Sequence, residues 1–183
     1  KNLQHAFVAI EDERFYEHNG IDPQGILRAA VTGLASGGNF SQGASTLTQQ
    51  LIKNNIFPDF VNEETFYDRL ERKIQEQFLA LDIEKQMSKE EILEAYMNTI
   101  NLGQNTLGVQ SASKRYFNKD VSELTLSECA VIAGITQNPS LYNPITNPEE
   151  NAKRREEVLN KMLDQGYIDQ AAYDEAMADD VYA

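Results

Sequence analysis

The sequence predicts a mostly α-helical fold with at most one small β-hairpin, and three observations predict it. Thr46-x-x-Gln49, Ser88-x-x-Glu91 and Thr125-x-x-Glu128 are capping boxes, each set ahead of a helical pattern. Apolar residues recur at spacings of three and four along most of the chain. No stretch sustains the period-two alternation of a half-buried strand.

In chain order, Leu3, Ala6, Phe7, Ala9 and Ile10 form an opening helix that runs into Glu11. Asp12, Glu13 and Glu17 follow around the aromatic pair Phe15 and Tyr16, and His18-Asn19-Gly20 is expected to break the helix. Asp22-Pro23 supplies an N-cap and an N1 proline to a helix over 25–36, with Ile26, Leu27, Ala30, Val31 and Leu34 at helical spacing. Gly37 to Gly43 is a flexible loop, and the Thr46 box starts a helix through about Asn55. The stretch 56–66 has no clean period and reads as a partly ordered flap or a packed surface loop. From about Asp68 to Gln86, Leu70, Ile74, Phe78 and Leu81 make an apolar stripe expected to face the core. The Ser88 box opens a helix to Asn98, Gly103 and Gly108 punctuate a loop, and 109–117 is helical again. The Thr125 box starts an apolar helix through Gly134. Asn138-Pro139 and Asn143-Pro144 mark an irregular segment, and 148–165 and 169–178 are closing helices separated by Gly166.

The chain has 183 residues, which suits one domain with room for two lobes. Its net charge of −13 argues against nucleic acid as a partner and against electrostatic adhesion to an anionic membrane. Two His and one Cys leave no zinc or iron–sulfur constellation and no intrachain disulfide. Cys129 lies in an apolar helix and reads as a buried structural thiol. No apolar run is long enough to span a membrane, and no signal peptide is visible. The chain opens inside a helix, so we expect an excised domain whose anchor lies upstream.

Two clusters carry chemistry. Glu11 directly follows an apolar run, so its carboxylate is expected to be partly desolvated, a condition that suits proton transfer. The alternative is a solvated acidic turn. Arg72, Lys73 and Glu76 share one helical surface, where two cations beside a carboxylate can grip a phosphate. The alternative is an ordinary surface ion pair. The helix start at Ser45-Thr46 offers backbone N–H groups to an anion or to sugar oxygens, with Gln49, Gln50 and Lys53 on the following turns.

The order of motifs is more specific than any one of them. E-D-x-x-F-x-x-H-x-G (11–20) is followed by G-x-S-T-x-x-Q-Q (43–50), R-K-x-x-E (72–76), K-x-x-I-L-x-x-Y-x-N (89–98) and R-R-x-x-V-L (154–159). In this set the chain closely resembles the peptidoglycan glycosyltransferase domain of class A penicillin-binding proteins and monofunctional transglycosylases, glycosyltransferase family 51, from about residue 3 to about residue 170. L-x-x-x-E-C-A-x-I-A-G, Gln137-x-Pro139 and Tyr142-Asn143-Pro144 also match, whereas Asn101 stands where the family commonly has tyrosine.

The resemblance implies a lysozyme-like helical fold with head and jaw lobes flanking a cleft. It also implies polymerisation of lipid II with inversion, release of undecaprenyl pyrophosphate, and inhibition by moenomycin. On the matching positions Glu11 would be the general base and Glu76 the second carboxylate. Lys53, Arg72 and Lys73, with Arg69, would neutralise the donor pyrophosphate, and Ser45, Thr46, Gln49 and Gln50 would hold sugar and phosphate oxygens. Asp12, Phe15, Asn98 and Arg155 complete the matched set, with roles that are mainly structural. A divalent cation (Mg or Mn) at the pyrophosphate is implied by family behaviour, although no ligand cluster in the sequence demands one; no organic cofactor is implied. The implied partners are lipid II, the growing glycan strand, cell-wall synthesis proteins and the extracytoplasmic face of the plasma membrane. Membrane contact would come through an upstream anchor and apolar patches such as Phe57, Phe60 and Val61. A lysozyme-like hydrolase of finished peptidoglycan is the competing reading, since two carboxylates in a helical cleft suit it. A silent module that binds the lipid-linked precursor is a third.

Overall fold

Among the described residues of the computed structural model (1–35, 45–56, 66–103 and 106–182, with only the backbone described for 32–35, 56 and 66–70) nine α-helices are present. They are α1 (Asn2–Glu11), α2 (Pro23–Ala35), α3 (Leu47–Ile56), α4 (Phe66–Gln86), α5 (Lys89–Thr99), α6 (Val109–Phe117), α7 (Leu126–Ala133), α8 (Pro148–Asp164) and α9 (Gln170–Ala178). No strand is present among these residues. The sequence allows at most a small hairpin, and what is present is one antiparallel bridge between Asn101 and Leu107. Asn101 also accepts from the Gly103 N–H (3.0 Å), so the residue that departs from the family pattern caps this loop.

The helix starts follow the chemistry of their caps. Thr46 and Gln49 exchange side-chain bonds to each other's N–H (3.1 and 2.8 Å), as do Ser88 and Glu91, and Thr125 and Glu128. Asp169 caps α9 by accepting from Ala172. The first helix ends earlier than its neighbours suggest. Asp12 leaves helical geometry as the C-cap, and residues 13–17 turn, so Phe15 does not continue the α1 face.

The chain divides into two compact units, Lys1–Glu13 with Ala95–Ala183, and Arg14–Glu94. In the first, α7 is the hub. It is apolar nearly all round, seven of its eight residues are buried, and α1 and α8 pack against it and each other. Phe7, Val8, Ile132, Leu159 and Met162 fill this core, and Phe7 meets Tyr96 edge-to-face.

In the second unit α3 packs on α4, with Leu47, Ile52, Ala80, Ile92, Leu93 and Phe15 buried. The expected core-facing stripe of α4 is corrected here. Ile74 and Phe78 are exposed (46% and 70%), and the buried positions are Glu76 and Ala80, one turn apart on the other side of the helix. The polar cluster described below and the close approach of Gly20 lie on this buried side. The apolar side chains Ile26, Leu27 and Val31 of α2 are likewise exposed.

Asp22 anchors the start of α2. Its carboxylate accepts from Gly25 N–H (3.1 Å) and from Arg14 (2.8–3.0 Å). Burial pushes this carboxyl up, but those bonds and the Arg14 charge outweigh burial, and the pKa lies below the ordinary 3.8. A depressed carboxylate stabilises the fold above its unfolded pKa and loses that contribution as pH falls through the folded value. Thermal stability of the protein should therefore drop below about pH 4, and Asp22→Asn should flatten that drop while lowering stability at neutral pH. Equal slopes in both proteins, measured by thermal unfolding from pH 3 to 7, would exclude this contribution.

Candidate active site

Glu11 ends α1 in the first unit, and its side chain is 12% exposed. Its Oε1 accepts from the Thr136 hydroxyl, and the Arg154 guanidinium lies 3.5 Å from the same oxygen. Arg154 is itself fixed: Nη1 bonds Glu157 (3.1 Å), and the guanidinium lies over the Tyr142 ring. Gly134 makes room for it, since a Cβ there would stand 3.0 Å from Arg154 Cγ. Tyr96 is buried close enough for the Glu11 charge to act on it. Burial, and then the charges of Glu11 and Asp12, push its phenol well above the ordinary value, so it stays neutral. Glu11 is thus held by a hydroxyl and a cation at the edge of an apolar core.

The second cluster lies wholly in the other unit. Glu76 is fully buried, with Arg72 on one oxygen (3.0 Å) and Lys73 on the other (3.2 Å). Lys73 also donates to Ser45 Oγ (2.9 Å) and keeps 41% of its side chain exposed. One carboxylate between two cations leaves a net positive patch, and its burial fixes the cations in place. Glu76, expected as the second carboxylate, has both oxygens engaged, one by Arg72 and the other by Lys73.

The remaining predicted residues sort by what they touch. Thr46 and Gln49 are buried in the α3 capping box, and Thr46 also donates to Gly20 O (2.7 Å). Their side chains hold the start of α3, while Ser45 beside them meets Lys73. Gln50 reaches back to Ser45 O (3.5 Å), and Lys53 is half-buried in the last turn of α3. Arg69 lies on α4, but its side chain is outside the described ones, as are Phe57, Phe60, Val61 and the Gly37–Gly43 loop. Phe15 is a core residue beneath the Lys89 ammonium, which lies 4.6 Å from its ring and donates to His18 O and Glu84. Asp12 is buried at the α1 C-cap, and Asn98 is exposed near the end of α5. Arg155 is buried and ties Ser127 Oγ (2.9 Å) to the carbonyl of Asp179 (3.0 Å), which is a packing role. Sequence reasoning selected the second arginine of the pair, whereas the first one meets Glu11. It missed Thr136 altogether, for no motif marks a lone threonine. Cys129 is buried, which pushes its thiol up to about 12, so it is a structural thiol as expected.

Among the described residues no group of three or more His, Cys, Asp or Glu could hold a metal. The surroundings of Glu76 do not fit a divalent cation either, because Arg72 and Lys73 already engage both oxygens. Among the same residues no helix is long and apolar enough to cross a membrane.

A sequence model of the transglycosylase family matches residues 1–163. The chain belongs to the transglycosylase family of peptidoglycan glycosyltransferases. The relatives narrow the likeness. Penicillin-binding protein 1A of Clostridium botulinum is 49% identical over 187 residues, covering 98% of this chain and 22% of its own length. Penicillin-binding protein 1A of Escherichia coli is 49% identical over 178 residues, covering 97% and 20%. Among solved structures, penicillin-binding protein 1A from Haemophilus influenzae matches with a TM-score of 0.50 at 32% identity, over 74% of this chain and 16% of its own. The chain therefore spans about a fifth of the length of the curated relatives it matches.

Proposed function

We propose that this domain polymerises lipid II into β-1,4-linked glycan strands, inverting the anomeric carbon and releasing undecaprenyl pyrophosphate. The observation that most supports this is the clamped pair Arg72 and Lys73 on buried Glu76, with Ser45 alongside. Pyrophosphate is a good leaving group, so fixed positive charge where its negative charge develops does more than protonation. Lys73 is the cation best placed to meet it, because it is anchored at two points yet exposed. Lys53 and Arg69 are proposed to add charge for the same group. A sugar hydroxyl is a poor nucleophile and needs a base, and Glu11 is proposed to take the proton of the acceptor 4-hydroxyl. As the glycosidic C–O bond forms, the bond from the anomeric carbon to phosphate breaks, and pyrophosphate leaves with its electron pair.

The proposed partners are lipid II, the growing strand and other cell-wall synthesis proteins at the extracytoplasmic membrane surface. Any Mg or Mn would be carried on the substrate phosphates, since the described residues do not build its site. A hydrolase of finished peptidoglycan would leave the two clamped cations without a use.

The test is strand synthesis from lipid II with and without moenomycin. Long, inhibitable strands are expected. Lys73→Ala should cut kcat/KM roughly ten- to hundredfold, the effect of removing one charge-assisted contact. Soluble muropeptides released from purified cell wall, with lipid II untouched, would overturn the proposal in favour of the hydrolase.

A further inference from the structure

The motif set accounts for Glu11 but not for the two groups that meet its Oε1. We infer that Thr136 is a positioning residue for Glu11, holding that carboxyl in both of its protonation states, with Arg154 fixing its charged form. The inference rests on the reading of Glu11 as the base.

Thr136 Oγ touches two acceptors, Glu11 Oε1 and the carbonyl of Ala133 (3.0 Å), yet a hydroxyl has one hydrogen. With Glu11 ionised, the hydrogen points to Glu11. A proton taken up on Oε1 can be donated to Thr136 Oγ, and the hydroxyl then turns its own hydrogen to Ala133. No proton leaves the pair; two hydrogens change direction. The carboxyl therefore keeps a partner before and after proton transfer, which removes a reorganisation step at the moment of reaction. The Ala133 carbonyl suits this use because it belongs to the end of α7, where the last carbonyls lack helical partners. Arg154 comes to the same oxygen from α8, past the space left by Gly134. Among the described residues, the charged and titratable groups near Glu11 include Arg154 from α8, Tyr96 from α5 and Asp12 next to it on the chain.

The decisive substitution is Thr136→Val, which keeps the shape and removes the hydroxyl, with Thr136→Ser as the rescue. Thr136→Val should lower kcat roughly ten- to hundredfold, the worth of one hydrogen bond to a charged group, with KM within about twofold. Thr136→Ser should restore kcat. A second readout stands without turnover: lipid II binding, followed by titration, should stay within about twofold in Thr136→Val, because the loss falls on the chemical step. An unchanged kcat in Thr136→Val, or a lost kcat that Thr136→Ser does not restore, would overturn the inference. Glu11→Gln, assayed alongside, separates the two claims. Full activity there would remove the base, whereas an inactive Glu11→Gln beside a normal Thr136→Val would remove only the positioning role.

Discussion

Glu11→Gln is expected to reduce glycan polymerisation by about a thousandfold or more, within the range for losing a general base, while the protein stays folded. Glutamine keeps the length and the carbonyl oxygen of glutamate, so Thr136 can still donate to it and the cap of α1 is unchanged. Arg154 loses one counter-charge but keeps Glu157 and the face of Tyr142. What disappears is the lone pair basic enough to take the acceptor's proton. The loss should fall on kcat, because the pyrophosphate contacts assigned to Lys73 and Arg72 lie in the other unit and are not touched. Lipid II binding should therefore survive. The measurement is strand synthesis beside a binding titration and a thermal unfolding curve. A variant keeping more than a tenth of the parent rate would end the assignment of Glu11 as base; lost activity with an unfolded protein would make Thr136 and Arg154 structural props.

The parts of this architecture written in local chemistry were legible in the sequence. Thr46, Ser88 and Thr125 announced three helix starts because a capping box is satisfied within four residues, and Asp22-Pro23 did the same with a single cap. What depends on the far side of a helix was not. The period of α4 is plain, but periodicity gives a stripe without saying which side is covered. The α4 side with Glu76 and Ala80 is buried, while Ile74 and Phe78 face outward. At 154–155 two identical side chains sit side by side, and 100° of helical turn sends one to Glu11 and the other to Ser127 and Asp179. Their sequence is symmetric, and only the third dimension distinguishes them. Thr136 was invisible for the same reason, since its partner lies 125 positions away in the chain.

Gly20→Ala is expected to be the most damaging single methyl in the second unit. Gly20 has φ +113, where an L-residue is strained, and a Cβ there would stand 2.7 Å from the carbonyl oxygen of Ala80 in the middle of α4. That oxygen belongs to the helix ladder and cannot yield without breaking it. Backbone strain and the clash together should cost roughly 3 kcal/mol or more, which for a domain of this size lowers Tm by about 6–12 °C. Gly166→Ala is the control. It too has a positive φ (+82), but nothing lies within 4 Å, so only the backbone cost of about 1 kcal/mol should remain. The damage at Gly20 should also reach function. Its carbonyl accepts the Thr46 hydroxyl, Thr46 starts α3, and Ser45 next to it receives Lys73. A displaced Gly20 therefore loosens the cation held on Glu76, and KM for lipid II should rise in Gly20→Ala at temperatures where it is still folded. Equal Tm losses for the two glycine variants would show that α4 can move aside, and that the tight approach of residue 20 is not what keeps the Lys73 patch in place.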